Sequence, residues 1–177
     1  MKVLVTGASG FTGSVLAEKL LDQGHEVRAF VRDSAKMTSP NSHKMEVIES
    51  DITDSAAMKE AVKGVDKVFH IAALFRQAGV PDQVYWDVNV TATENLLQQA
   101  MDAGVQRFVH CSTVGVHGHI EKPPADEEYP FSPGDIYQTT KLAGEKKVLE
   151  FYKQTGFPVA VVRPGPIYGI GDLRLLK

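Results

Sequence analysis

The chain has 177 residues, 43% of them hydrophobic, which is enough for one well-packed domain and too few for two ordinary ones. With 19 basic against 22 acidic residues the net charge is -3, so the basic footprint of a nucleic-acid or membrane-surface protein is missing and neither partner is expected. A single cysteine, Cys111, excludes an intrachain disulfide, and no apolar run approaches the ~20 residues of a bilayer span. Met1–Thr6 leads directly into a glycine-rich turn, so a signal peptide is not expected and the expected location is the cytoplasm.

Two hydrophobic periods alternate along the chain. Short apolar, β-branched runs predict strands at Lys2–Val5, Glu26–Val31, Glu46–Glu49, Lys67–Ile71, Arg107–Cys111 and Val159–Arg163. Helical spacing predicts helices at Ser14–Gln23, Asp54–Val62, Gln83–Ala103 and Asp135–Gln154, three of them closed by Gly24, Gly104 and Gly156. Arg32–Lys44 and the proline-bearing Gly115–Gly134 read as long loops. Strand alternating with helix means parallel strands joined by crossover helices, and runs such as Val159–Val162 suit strands covered on both faces. The expected fold is therefore α/β, a doubly wound parallel sheet of the Rossmann type spanning residues 1–177 as one dinucleotide-binding domain.

The turn after the first strand reads Thr6-Gly7-Ala8-Ser9-Gly10-Phe11-Thr12-Gly13. Glycines at 7, 10 and 13 suit a phosphate approaching the backbone at a helix N-terminus, where N–H groups and the helix dipole favour negative charge. A Cβ there would block either that approach or the packing of helix on strand. The Gly-x-x-Gly-x-x-Gly spacing resembles the N-terminal loop of the extended short-chain dehydrogenase/reductases, also described as NAD-dependent epimerases and dehydratases. Gly7, Ser9, Gly10, Phe11, Thr12 and Gly13 are the cofactor-binding candidates it supplies.

Tyr137 and Lys141 stand four apart, which on a helix puts them on one face. An ammonium near a phenol favours the phenolate, so this pair is expected to move a proton on and off a substrate hydroxyl, with Lys141 lowering the pKa of Tyr137. The resemblance implies a third member, a hydroxyl at the end of the preceding strand. Aligning Val116 and Gly118 on the family pattern assigns it to Thr113, with Ser112 as the fallback and His117 where the family usually has tyrosine.

Further segments carry the resemblance along nearly the whole chain. Asp51-Ile52 is similar to the acidic-apolar pair beside the adenine, and His70-Ile71-Ala72-Ala73 to the small-residue strand end along which the cofactor passes. Asn89-Val90-Thr91-Ala92-Thr93-Glu94-Asn95-Leu96 and Arg163-Pro164-Gly165-Pro166-Ile167-Tyr168-Gly169 match two more family segments. Asp51, Ile52, Ala72, Ala73, Asn89 and Pro164 thereby join Tyr137 and Lys141 as implied cofactor contacts.

At the end of the second strand a carboxylate reads the ribose of NAD, whereas a cation accommodates the 2′-phosphate of NADP. Val31 holds the usual acidic place and Arg32 comes next, so NADP is expected over NAD. His117-Gly118-His119 lacks a nearby acidic or cysteine cluster, so no metal is expected. The resemblance implies a longer protein whose substrate-binding part begins at residues 164–177, a tail helix from Leu173, and a homodimer through the third and fourth helices. It also implies a small-molecule substrate. The expected activity is nucleotide-sugar epimerase or dehydratase chemistry. An NADPH-dependent carbonyl reductase of the dihydroflavonol-reductase type and a non-catalytic NADP-sensing protein are the alternatives.

Overall fold

The structure is a computed structural model, and it describes residues 1–169 and 172. The tail helix expected from Leu173 lies outside the described residues. Six parallel strands form one sheet: β1 (Lys2–Thr6), β2 (Glu26–Val31), β3 (Glu46–Glu49), β4 (Lys67–His70), β5 (Arg107–Cys111) and β6 (Val159–Val162). Their order is β3-β2-β1-β4-β5-β6, the doubly wound arrangement with its reversal beside β1. Ligands in such sheets bind at the carboxyl ends of the strands, next to that reversal.

The strand period of two sorts the core into two layers. Val3, Val5, Val27, Ala29 and Val31 point to one face and pack with Ala17 and Leu20 of α1 (Phe11–Asp22). Leu4, Phe30, Val68 and Phe108 point to the other. There they meet α2 (Ser55–Ala61), α4 (Ala92–Asp102) and α5 (Ile136–Thr155) through Met58, Leu96, Leu97 and Val148. Arg28 shares the side of Phe30, and its two terminal guanidinium nitrogens are hydrogen-bonded while its buried Nε has no partner. Its Nη1 donates to the carbonyls of Ala61 (2.6 Å) and Lys63 (2.8 Å) at the end of α2, and Nη2 pairs with Glu46 at 2.9 Å.

One long helix was expected over Gln83–Ala103. The structure has a continuous rod there with one widened turn, as α3 (Asp82–Trp86), a π turn (Asp87–Thr91) and α4 follow one another without a gap. Two features accompany the widened turn. The Thr93 hydroxyl bonds back to the Asn89 carbonyl at 3.0 Å. Gly144 of α5 packs so close that a Cβ would lie 2.5 Å from the same oxygen. α5 begins where Asp135 accepts from the Gln138 N–H (2.7 Å) and ends at Gly156, with φ +74°. The two expected loops carry short 3₁₀ turns, Ser34–Lys36, Ser42–Lys44 and Val114–His117. No helix among the described residues is long and apolar enough to cross a membrane.

Candidate functional site

A cleft of about 1000 Å³ opens along the carboxyl ends of the central strands. At one end lies the glycine turn between β1 and α1. Gly7 has φ +72°, and a Cβ on it would sit 2.9 Å from the backbone of Ala72; a Cβ on Gly13 would press into the Gly7 peptide. These two glycines therefore let α1 and the end of β4 close onto β1. Gly10 caps α1 without a side chain, so no side-chain oxygen covers the positive end of a 12-residue helix.

Behind this turn, Thr6 fixes the neighbouring wall. Its hydroxyl oxygen accepts from the N–H groups of Ile71 and Ala72, both at 3.1 Å. Its proton then goes to Nδ1 of His70 (2.8 Å), and His70 Nε2 donates to Thr93 (3.0 Å), which itself donates to Asn89. This one-way chain assigns the neutral Nε2–H tautomer to His70. Burial, reinforced by the Lys141 charge, pushes its pKa down to about 3.

Farther along the cleft, the ends of β5 and α5 bring Thr113, Tyr137 and Lys141 together. The Thr113 hydroxyl accepts from the Gly115 N–H at 3.1 Å and is hydrogen-bonded to the Tyr137 phenol. Lys141 is 2% exposed, and burial lowers its pKa to about 8 against the opposing pull of Cys111 and Glu145. Burial holds Tyr137 above the usual tyrosine range, and the cation that most strongly pulls it back is Arg76, aided by the Thr113 hydrogen bond.

The cleft also takes in Ser9, Phe11 and Thr12 of the glycine turn, Arg32, Asp51, Ile52, Ala72, Ala73 and Pro164, so these expected residues share one cavity. Ser112 borders it too, but its hydroxyl is committed to Glu145 at 2.6 Å. Asn89 is the exception. It is 1% exposed and bonds Leu74 and Thr140 from behind the wall, so it does not reach the cleft as a cofactor contact. His117 lies against the Arg163 guanidinium (3.2 Å) and is stacked on Phe131, and no group of potential metal ligands occurs among the described residues.

Sequence reasoning passed over Glu145 and Arg76. Glu145 has no exposed surface, accepts from Ser112, and takes the Arg163 guanidinium at 2.5–3.2 Å. Its signal was available: it continues the four-residue stripe of Tyr137 and Lys141 on α5. Arg76 carries no motif, because its position is set by a loop.

The donor set fits a dinucleotide. An uncapped helix end lies at one end of the cleft, Arg32 is exposed at the end of β2, and a hydroxyl, a phenol and a buried amine converge at the other end. The model of the NAD dependent epimerase/dehydratase family matches residues 3–175. The chain is 40% identical over 185 residues to a Mycobacterium tuberculosis protein named 3 beta-hydroxysteroid dehydrogenase/Delta 5-->4-isomerase, covering 99% of this chain and 50% of that one. It is 35% identical to the sterol demethylase protein B of Methylococcus capsulatus, covering 98% and 54%. Among solved structures, a UDP-glucuronic acid 4-epimerase from Bacillus cereus in complex with NAD superposes with a TM-score of 0.86 at 28% identity, over 96% of this chain and 58% of that one. The chain thus spans about half the length of the curated relatives it matches.

Proposed function

The chain belongs to the NAD dependent epimerase/dehydratase family, and from that premise we propose that it serves an NAD(P)-dependent oxidoreductase interconverting a secondary alcohol and a ketone on a largely apolar substrate. The convergence of Thr113, Tyr137 and Lys141 in the cleft that begins at the glycine turn carries this reading. Bound there, a nicotinamide dinucleotide supplies a carbon that gives or accepts hydride. Tyr137 takes the proton from the substrate hydroxyl or returns it to the ketone oxygen. Thr113 donates a hydrogen bond to that same oxygen and steadies its developing charge. Lys141 offers N–H donors to the cofactor ribose from a site where its orientation is fixed by burial.

Apolar walls support the substrate class: Leu74, Phe75, Val84, Val88, Val114 and Ile167 all line the cleft. The names of the steroid and sterol relatives agree with it. Nucleotide-sugar epimerisation is the second reading, favoured by the likeness to the UDP-glucuronic acid 4-epimerase. Arg32, exposed beside the cleft, supports NADP over NAD, since its guanidinium can take a 2′-phosphate bidentately. We place the start of the substrate-binding part at residues 164–177, in keeping with Pro164, Pro166 and Ile167 on the cleft wall. A cytoplasmic homodimer through α3–α4 and α5 completes the proposal, supported by the exposed Trp86, Leu149 and Tyr152 on those helices.

The test is a titration with NADPH and NADH followed by nicotinamide fluorescence. Turnover is then compared between a 3β-hydroxysteroid with the oxidised cofactor and UDP-glucuronic acid. Tighter NADPH binding that Arg32→Ala abolishes, with steroid oxidation lost in Tyr137→Phe, is the expected result. Binding of neither cofactor overturns the proposal, and turnover of the sugar nucleotide alone moves it to the second reading.

A further inference from the structure

Tyr85 and Asn89 are four residues apart on α3 and the π turn, and each grips one residue of the loop after β4 by both backbone groups. Asn89 Oδ1 accepts from the Leu74 N–H (2.8 Å) while its Nδ2 donates to the Leu74 carbonyl (3.2 Å). The Tyr85 hydroxyl accepts from the Gln77 N–H (2.7 Å) and donates to the Gln77 carbonyl (3.1 Å). Both anchoring side chains are buried. Only Phe75 and Arg76 lie between the two grips.

Arg76 has φ +29°, the only positive φ of a non-glycine residue among those described. Such a backbone is strained and persists where its surroundings over-determine it, which the two flanking grips do. The outcome is a placed cation. The guanidinium carbon lies 5.9 Å from the centroid of the Tyr137 ring, and Phe75 meets that ring edge-on at 4.8 Å. Arg76 Nε and Nη2 reach Asp135 Oδ2 at 2.9 and 2.8 Å, and Asp135 caps the helix that carries Tyr137. Both Arg76 and Tyr137 border the cleft.

We propose that Arg76 is a positioning residue for proton transfer, clamped by Asn89 and Tyr85 so that the phenol of Tyr137 works against a fixed guanidinium. The proposal rests on the acid/base role given to Tyr137 above. The charged and titratable groups around that phenol are Arg76 from the loop after β4, Cys111 from β5, and Asp135 and Lys141 from α5, with the Thr113 hydroxyl beside it. Burial and Cys111 push the phenol's pKa up, and Arg76 draws it back down. The guanidinium is half-exposed, so its effect is moderated by solvent.

The experiment tracks Tyr137 itself. The full chain is labelled with 3-fluorotyrosine, its Tyr137 fluorine signal is identified by its loss in Tyr137→Phe, and the signal is titrated with pH. Arg76→Gln and Arg76→Met should each raise the Tyr137 midpoint by about half to one pH unit, and Arg76→Lys should restore at least half of that. The midpoints of the other tyrosines should stay in place, which a general loosening of the fold would not allow. An unchanged Tyr137 midpoint in either neutral variant, with the fold intact by circular dichroism, overturns the proposal. Turnover separates this from the reading beneath it. A midpoint that moves while Tyr137→Phe keeps full activity sinks the acid/base role and leaves the pairing standing. An unmoved midpoint alongside a dead Tyr137→Phe sinks the pairing alone.

Discussion

The Ser112 hydroxyl donates a 2.6 Å hydrogen bond to the carboxylate of Glu145, where both side chains are almost wholly buried. That carboxylate also binds the Arg163 guanidinium, so the end of β5, the middle of α5 and the segment after β6 meet at one charge. Lys141 sits one helical turn away and is drawn up by the same carboxylate.

Glu145→Ala should therefore be among the costly single changes. It leaves Arg163 and Ser112 facing a buried gap, and losing one partner of a buried pair costs about 3–5 kcal/mol. Urea unfolding should show the midpoint lowered by that free energy divided by the slope, with the slope itself unchanged. A loss under about 1 kcal/mol, the range of exposed pairs, would show that the pair is solvated.

Lys141 makes stability depend on alkaline pH. Its folded pKa of about 8 lies below the ordinary 10.5, so between those values the unfolded chain holds a proton that the folded chain has released. Stability should rise with pH across that window, and below about pH 8 the folded chain carries the full cost of the buried ammonium. The difference in pKa corresponds to about 3 kcal/mol. Urea unfolding at about pH 8 and about pH 10 should show this rise in the cofactor-free protein and lose it in Lys141→Met; equal pH dependence in the two proteins would refute it.

His110 is fully buried beside His70, with neither ring nitrogen hydrogen-bonded. Burial, together with the Lys141 and His70 charges, lowers its pKa well below the ordinary 6.5. A depressed histidine contributes stability that is present above its unfolded pKa and lost as pH falls towards the folded value, and His70 behaves likewise down to about pH 3. His110→Leu should raise stability at neutral pH by about 1 kcal/mol and make the acid side of the stability profile shallower. Thermal unfolding at about pH 7, 6 and 5 reads both effects, and a destabilised variant with an unchanged slope would contradict them.

Gly13→Ala should damage the glycine turn from the helix side, because the added Cβ would lie 2.8 Å from the Gly7 carbonyl carbon. Overpacking of this kind costs about 1–3 kcal/mol. Binding of NADPH and NADH should fall together, since the turn serves either one. Retained binding of both would show that α1 can shift without consequence.

Much of this site was legible in the chain. The alternation of apolar runs with helical stripes is local chemistry, and it was enough for the parallel sheet and the boundaries of its strands to within a residue. The glycine spacing marked the turn, and a four-residue interval put Tyr137 and Lys141 on one helix face. Periodicity and the types of residue close together in the chain are sufficient for all of these. The remainder came only with the folded chain. Folding moved Asn89 from the cofactor to the back of the wall, committed Ser112 to Glu145, and set Arg76 over the Tyr137 ring. Each of these depends on burial and on partners 15 to 61 residues away, with Asn89 meeting Leu74 and Arg76 meeting Tyr137. A local pattern contains neither the distance between such groups nor the water excluded from between them. Those two quantities set the strength of a charge and the direction in which a proton's affinity moves.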